Sequence, residues 1–216
     1  MPGGKSGRPR DLVELILGYG LIVGIIWTPE HWQRRLSPIA LLLTLLVVLA
    51  RKRNRDELGL GRRGLLASLW ILPASIALTA LSMFVAARVG TLHPLYKGDL
   101  KHVTGYVMWT IYQQFLLQDF VMDRLLRLVS SEAAAVTVAG ALFAAAHLPN
   151  LVLTAATLVW GVISCALFRR YQNLWALGLA QGLLGLCFAI CVPDSLHHHL
   201  RVGLGYLRYR SIQPVP

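Results

Sequence analysis

Seven long apolar runs follow one another along the chain, separated by short polar or basic segments. Each run has roughly the length that a helix needs to cross the hydrocarbon core of a bilayer. The runs are residues 12–27, 36–50, 65–87, 103–118, 133–147, 151–168 and 174–192. We therefore predict an all-α fold, a polytopic membrane helix bundle of about seven or eight transmembrane helices.

Composition supports the membrane interpretation. Of the 216 residues 56% are hydrophobic and only 14% are charged, whereas a soluble domain usually carries about 25% charged residues. The formal net charge is +11, but the basic residues lie mostly between or beside the apolar runs. Orientation in the membrane and attraction to anionic headgroups explain this placement better than nucleic acid does. The predicted partner is the lipid bilayer, and no nucleic acid is expected.

The chain divides into one membrane domain with two basic ends. Residues 1–11 are predicted to be a basic N-terminal arm, residues 12–192 the bundle, and residues 193–216 a tail rich in His, Tyr and Arg. The first run lacks a small-residue cleavage site, which indicates a retained span. The Lys and Arg distribution favours an inside N-terminus, with residues 51–63 as a solvated cytoplasmic loop. We expect a multi-pass protein of a prokaryotic plasma membrane.

Small residues indicate where helices approach closely. Gly20 and Gly24 predict a close helix contact in the first span, and the alanine-rich run 133–147 predicts a helix in the middle of the bundle. The three cysteines lie in apolar runs without metal spacing, so they are interpreted as buried small hydrophobic residues. Adjacent histidines at 197–199 do not share a helical face, which favours an interfacial tail. Neither a metal nor a cofactor is predicted.

Polar side chains inside the apolar runs indicate a buried site. Gln114 and Gln118 share a helical face, with Gln113 beside them, while His147 and Gln181 lie in later runs. Hydrocarbon offers these groups no hydrogen bonds, so they should face the protein interior, one another or trapped water. We predict that Gln113 or Gln114, His147 and Gln181 converge on one cavity. The alternative is that the amides only join neighbouring helices.

The nearest carboxylates in sequence are expected outside this site. Asp119 follows Gln114 by five residues, about 140° around a regular helix, so its side chain should point elsewhere. Asp119 and Asp123 are expected in a solvated interfacial turn, paired with Arg124 and Arg127.

Three phrases of the sequence resemble the motifs of the CPBP family of membrane proteins (CAAX prenyl protease and bacteriocin-processing, also called ABI). That family carries Glu-Glu-x-x-x-Arg, Phe-x-x-x-His and His-x-x-x-Asn on successive helices. The corresponding phrases are Gln113-Gln114-Phe-Leu-Leu-Gln118, Phe143-Ala-Ala-Ala-His147 and Gln181-Gly-Leu-Leu-Gly185. The resemblance covers roughly residues 65–192 and keeps unchanged only Phe143 and His147.

The resemblance implies an intramembrane CAAX-type endopeptidase whose partner is a membrane-associated or prenylated peptide. It places catalytic positions at Gln113, Gln114, Gln118, His147 and Gln181. In the family a glutamate paired with a histidine is thought to activate water. A glutamine amide donates and accepts hydrogen bonds but does not accept a proton near neutral pH.

The replaced glutamates leave three hypotheses for function. The first is a divergent CPBP-type peptidase that retains activity through an unrecognised base. Losing the glutamate base costs on the order of 10²–10⁴-fold in rate, so we expect this peptidase to be weak or inactive. The second is a non-catalytic scaffold that binds a membrane peptide in the former cleft. The third is a small transporter, against which the lack of charge in spans four to seven argues.

Overall fold

The computed structural model describes residues 7–96 and 98–209, and the regular elements in these ranges are all helices. In chain order they are α1 (Arg8–Ile26), α2 (Glu30–Leu49), α3 (Leu65–Ser68), α4 (Ile71–Val89), α5 (Leu100–Phe115), a π-helix (Leu116–Met122), α6 (Asp123–Leu128), α7 (Glu132–Ala145), α8 (Leu151–Tyr171), α9 (Leu174–Cys191), α10 (Asp194–His197) and α11 (Gly203–Leu207). The predicted all-α bundle is confirmed.

The two predicted basic ends are described only in part. Residues 1–6 of the N-terminal arm and residues 210–216 of the tail lie outside the described residues. The rest of the arm is helical, because α1 already begins at Arg8. The rest of the tail contains the short helices α10 and α11.

Four stretches within the described residues are long and apolar enough to cross a membrane. They are Glu30–Leu49, Leu65–Val89, Leu151–Tyr171 and Leu174–Cys191. The other predicted spans correspond to α1, α5 and α7, which are shorter or more polar. Large apolar side chains such as Ile76 and Val159 point outward from the spanning helices.

Three of the described helices begin at a side chain that accepts a backbone hydrogen bond. Ser131 caps α7 by accepting from Ala134 N, and Asn150 and Asn173 cap α8 and α9 in the same way. Such caps satisfy amide groups that the first helical turn leaves without partners. Both asparagines are buried, so their side chains also connect the helix starts to other parts of the chain.

Glycines allow close helix contacts, but not at Gly20 and Gly24, where the sequence predicted one. A Cβ on Gly161 of α8 would lie 3.0 Å from the Cα of Gly140 in α7, so these two helices touch backbone to backbone. By contrast, a Cβ added to Gly20 or Gly24 would meet no heavy atom within 4 Å. The prediction of a close contact there was wrong, because both glycines lie on the exposed side of α1.

Eight charged residues from three parts of the chain form a buried ionic cluster at one end of the bundle. Its members are Asp11, Glu14, Arg51, Arg53, Asp119, Asp123, Arg124 and Arg127. Arg124, which is fully buried, approaches Glu14 at 2.7 Å between Nη2 and Oε2. These eight groups are four carboxylates and four guanidinium groups, and the exposed Arg10 pairs with Glu14 from outside the cluster. Such pairing is what makes buried charge tolerable.

This cluster corrects two expectations about the loops. Arg51 and Arg53 are half-buried partners of carboxylates and do not extend into solvent. Asp119 is buried and lies 3.0 Å from Arg53 Nη1, so its expected pairing with Arg124 in a solvated turn was wrong. The reason is that the helix does not end at Gln118. It continues from Leu116 to Met122 as the π-helix, which keeps Asp119 inside the bundle. Asp123 does pair with Arg127, at 2.6 Å.

The described part of the tail folds back onto the other end of the bundle. Asn150 Nδ2 donates to His197 O at 2.9 Å and to Arg201 O at 3.1 Å, and Gly203 N donates to Leu148 O at 2.8 Å. Gly203 has a φ of +54°, which favours glycine. A Cβ there would also clash with the backbone carbonyl of Ile26. The segment 194–209 is therefore held against the turn between α7 and α8.

Candidate functional site

Four glutamines form a continuous chain of hydrogen bonds, here called the amide chain. Gln118 Nε2 donates to Gln114 Oε1 at 3.0 Å, and Gln114 Nε2 donates to Gln181 Oε1 at 2.6 Å. Gln181 Nε2 then donates to Gln113 Oε1 at 2.6 Å. Each amide in the middle of the chain both donates and accepts, so the bonds share one direction from Gln118 to Gln113.

Close packing of α5 against α9 brings these amides within reach of each other. A Cβ on Gly178 would lie 2.7 Å from Ile111 Cα, so only a glycine allows this approach. At the same glycine, Thr110 Oγ1 donates to Gly178 O at 3.0 Å. Trp160 of α8 adds a second hydrogen bond to Gln181 Oε1, at 3.0 Å from Nε1. Three helices thus meet at the Gln181 amide.

The two ends of the amide chain differ in their surroundings. Gln118 is buried, and its Oε1 has no hydrogen-bond partner among the described residues. Gln113 is half-buried, and its Nε2 donates no hydrogen bond within the described part of the chain. Gln113 therefore offers a donor that a carbonyl oxygen of another molecule can accept.

His147 lies at the end of α7 and is not part of the amide chain. Its Nδ1 is 2.8 Å from Phe143 O, a geometry in which Nδ1 carries the hydrogen and Nε2 is left as the basic nitrogen. The Phe143 ring packs edge-on at 5.0 Å between centroids. The structure brings the four glutamines together, while His147 makes no hydrogen bond to any of them.

The position that corresponds to the last motif residue is filled by another side chain. A Cβ on Gly185 would clash with Tyr106 Oη. The space that an asparagine would need at this position is therefore taken by the tyrosine of α5.

No carboxylate of the described ranges hydrogen-bonds to the amide chain or to His147. The nearest in sequence, Asp119, belongs to the ionic cluster through Arg53. In the same ranges, no group of three or more His, Cys, Asp or Glu residues could hold a metal ion. The chemistry available at the amide chain is hydrogen bonding by amides, an indole and a hydroxyl.

Sequence reasoning missed Trp160, Tyr106 and the Arg53–Asp119 pair. Trp160 had a usable signal, because an indole N–H in an apolar span needs a partner. Tyr106 and Arg53 had none, since what they contact depends on how distant segments pack.

Residues 100–187 match a family model described as type II CAAX prenyl endopeptidase Rce1-like. The matched region extends from the start of α5 into α9 and contains the amide chain and His147. This match supports the resemblance to the CPBP family over these residues, which make up less than half of the chain. No curated protein and no solved structure matches it. The apolar spanning helices and the family match together indicate a multi-pass integral membrane protein whose outward apolar faces contact the lipid bilayer.

Proposed function

We propose that this protein is a pseudoenzyme of the type II CAAX endopeptidase type, with little or no peptidase activity. The observation that supports the proposal is the amide chain itself. Glutamines occupy the positions where the family motif has its glutamates, and both hydrogen-bond to Gln181. A site closed in this way contains no carboxylate to take a proton from water.

The chemical cost of this replacement is large. An amide has no protonation change near neutral pH, so it cannot serve as the general base. His147 retains a basic Nε2, but the partner that would hold and polarise a water molecule is missing from its hydrogen bonds. A lost base corresponds to roughly 10²–10⁴-fold in rate.

A peptidase assay on the purified chain tests this proposal. The chain in detergent is incubated with a prenylated CAAX peptide, beside the variant Gln113→Glu/Gln114→Glu/Gln181→His. Position 185 is left as glycine because Tyr106 fills the space. We expect no cleavage by the starting chain, and thermal unfolding must show that both proteins are folded, because buried glutamates carry a desolvation cost.

Cleavage by the starting chain that His147→Ala abolishes would overturn the proposal. The matched control is His102→Ala, an exposed histidine in α5 that lies outside the amide chain. Activity that persists in His147→Ala and His102→Ala alike would instead point to a contaminating peptidase.

The second candidate, a scaffold that binds a membrane or prenylated peptide, is favoured by the unused donor of Gln113. Loss of one hydrogen bond to a ligand typically weakens binding by roughly 2–10-fold. We expect Gln113→Leu to weaken binding of a fluorescent prenylated peptide by that factor, measured by anisotropy. Thr104→Val, at an exposed position of α5, is the control. Equal affinity of Gln113→Leu and the starting chain would exclude this donor as a ligand contact.

The proposal also includes the location, the plasma membrane of a prokaryote with residues 51–63 on the cytoplasmic side. The density of arginine in this loop supports that orientation. A cysteine introduced at the exposed Asp56 should resist membrane-impermeant reagents in intact cells. Labelling of this cysteine from outside the cell would show that the loop lies on the external side, opposite to the proposed orientation.

A further inference from the structure

The loop before α3 is held rigidly against the turn between α8 and α9. Leu174 N donates to Gly59 O at 2.8 Å, and Trp175 Nε1 donates to Leu60 O at 3.1 Å. Asn173 Nδ2 donates to Gly61 O at 3.3 Å. Hydrogen bonds to successive carbonyls fix the backbone path of the loop, so its side chains leave the surface from defined positions.

Glycine is required at the end of this loop. Gly64 has a φ of +65°, and a Cβ there would clash with the backbone carbonyl of Tyr171. The backbone of the loop therefore lies directly on the end of α8. We call the surface formed by residues 59–64 and 170–175 the arginine platform.

The arginine platform carries three exposed guanidinium groups, those of Arg62, Arg63 and Arg170. None of them forms an ion pair with a carboxylate of the described residues. Arg170 lies over the ring of Tyr171, 5.6 Å from its centroid. One exposed carboxylate, that of Asp56, lies against Gly61, so the surface keeps a net positive charge.

Aromatic and apolar side chains surround these arginines. Trp70 is 49% exposed and Trp175 is 39% exposed, and Trp70 Nε1 donates to Tyr171 Oη at 3.1 Å. Leu66 is 83% exposed on α3. Tryptophan and tyrosine concentrate at the boundary between hydrocarbon and headgroups, so the aromatic side chains around these arginines are typical of that boundary.

We propose that the arginine platform binds the headgroups of anionic phospholipids. Guanidinium groups bind phosphate through paired, charge-assisted hydrogen bonds. The exposed apolar side chains of α3 lie beside the acyl chains of the same lipids. This inference concerns a surface outside the sequence motifs and does not depend on whether the protein cleaves peptides.

Thermal unfolding of the full chain in a neutral detergent tests the proposal, with phosphatidylglycerol, phosphatidylcholine or soluble glycerol 3-phosphate added. We expect phosphatidylglycerol to raise the Tm, with an apparent affinity at least roughly tenfold above that for phosphatidylcholine. In Arg62→Gln/Arg63→Gln/Arg170→Gln the affinity for phosphatidylglycerol should fall by roughly tenfold or more.

The chain offers a matched control in Arg34→Gln/Arg35→Gln. These arginines are also exposed and lie beside the exposed Trp32, but at the other end of α2. An equal loss in this variant, an unchanged affinity in the triple variant, or an equal Tm rise with glycerol 3-phosphate would each overturn the proposal. Should the triple variant not fold, the starting chain is titrated at low and high salt, and a salt-independent affinity for phosphatidylglycerol overturns it equally.

Discussion

Gln114 of α5 and Gln181 of α9 are joined by a hydrogen bond of 2.6 Å from Nε2 to Oε1. This bond lies between two helices that pack so closely that a glycine is needed at their contact. Polar bonds of this kind inside a membrane bundle typically contribute up to about 1 kcal/mol each. The amide chain therefore stabilises the bundle whatever its role in binding.

Replacing the central amide should destabilise the protein more than replacing the terminal one. Gln114→Leu removes two bonds of the amide chain, whereas Gln113→Leu removes one at a half-buried end. We expect Gln114→Leu to lower the free energy of unfolding by about 1–3 kcal/mol, because it also leaves buried amide groups without partners. Reversible unfolding in detergent measures the difference, and equal effects of the two variants would contradict it.

The close approach of α5 and α9 predicts a strong effect of one added methyl group. A Cβ on Gly178 meets the backbone of Ile111, which cannot move aside as a flexible side chain can. Gly178→Ala should destabilise the protein by about 1–3 kcal/mol. The control is Gly105→Ala in α5, where an added Cβ meets no heavy atom within 4 Å. This variant should be neutral or stabilise the protein by up to about 1 kcal/mol. Thermal unfolding compares the two, and a tolerated Gly178→Ala would show that the helices are farther apart.

The ionic cluster predicts that two partners of Glu14 differ in importance. Arg124 has a fully buried side chain, whereas the Arg10 side chain is 71% exposed. Arg124→Leu should cost about 3–5 kcal/mol of stability, because it breaks a buried pair. Arg10→Leu should cost about 1 kcal/mol or less. Denaturant unfolding of both variants is the measurement, and similar losses would contradict the burial of the Arg124 pair.

The tail should loosen in mild acid because His197 is held neutral. Its Nδ1 accepts from Leu200 N at 3.1 Å, and its Nε2 lies 2.9 Å from Val192 O, so only the neutral ring satisfies both contacts. Burial lowers the pKa of His197 below the ordinary 6.5, despite the opposing effect of Asp194. A lowered histidine pKa means that its contribution to tail docking is complete above about pH 6.5 and declines as the pH falls below that value.

Hydrogen exchange measures this effect at two amides. Exchange of Leu200 N–H and Gly203 N–H should accelerate between about pH 7 and pH 5, after correction for the intrinsic pH dependence. Gly203 N–H donates to Leu148 O across the docking contact, and Leu200 N–H donates to His197 Nδ1, which accepts only while the ring is neutral. In His197→Gln that acceleration should disappear. An unchanged pH dependence in the variant would assign the transition to another group, such as His199 beside Asp194.

The order of the motif phrases predicted the resemblance to the family, and the family model matches the region that contains these phrases. The placement of Gln114 and Gln118 on one face was also predictable, because four residues bring side chains together on a helix. The partner of each amide was not predictable. The oxygen that Gln114 contacts depends on how α9 is rotated about its axis. That rotation is set by the packing of Ile111 in α5 against Gly178 in α9.

The sequence by itself determined the all-α membrane fold, since apolar length and low charge leave few other structures possible in a bilayer. Only the tertiary structure decided the partners of Asp119 and Arg53. The π-helix shifts the phase of the side chains after Phe115, and the periodicity of a regular helix does not anticipate that shift. Pairing between side chains distant in sequence depends on the packing of whole helices. The local pattern of apolar residues therefore determined the helices, and the packing of those helices determined the side-chain contacts that give the site its chemistry.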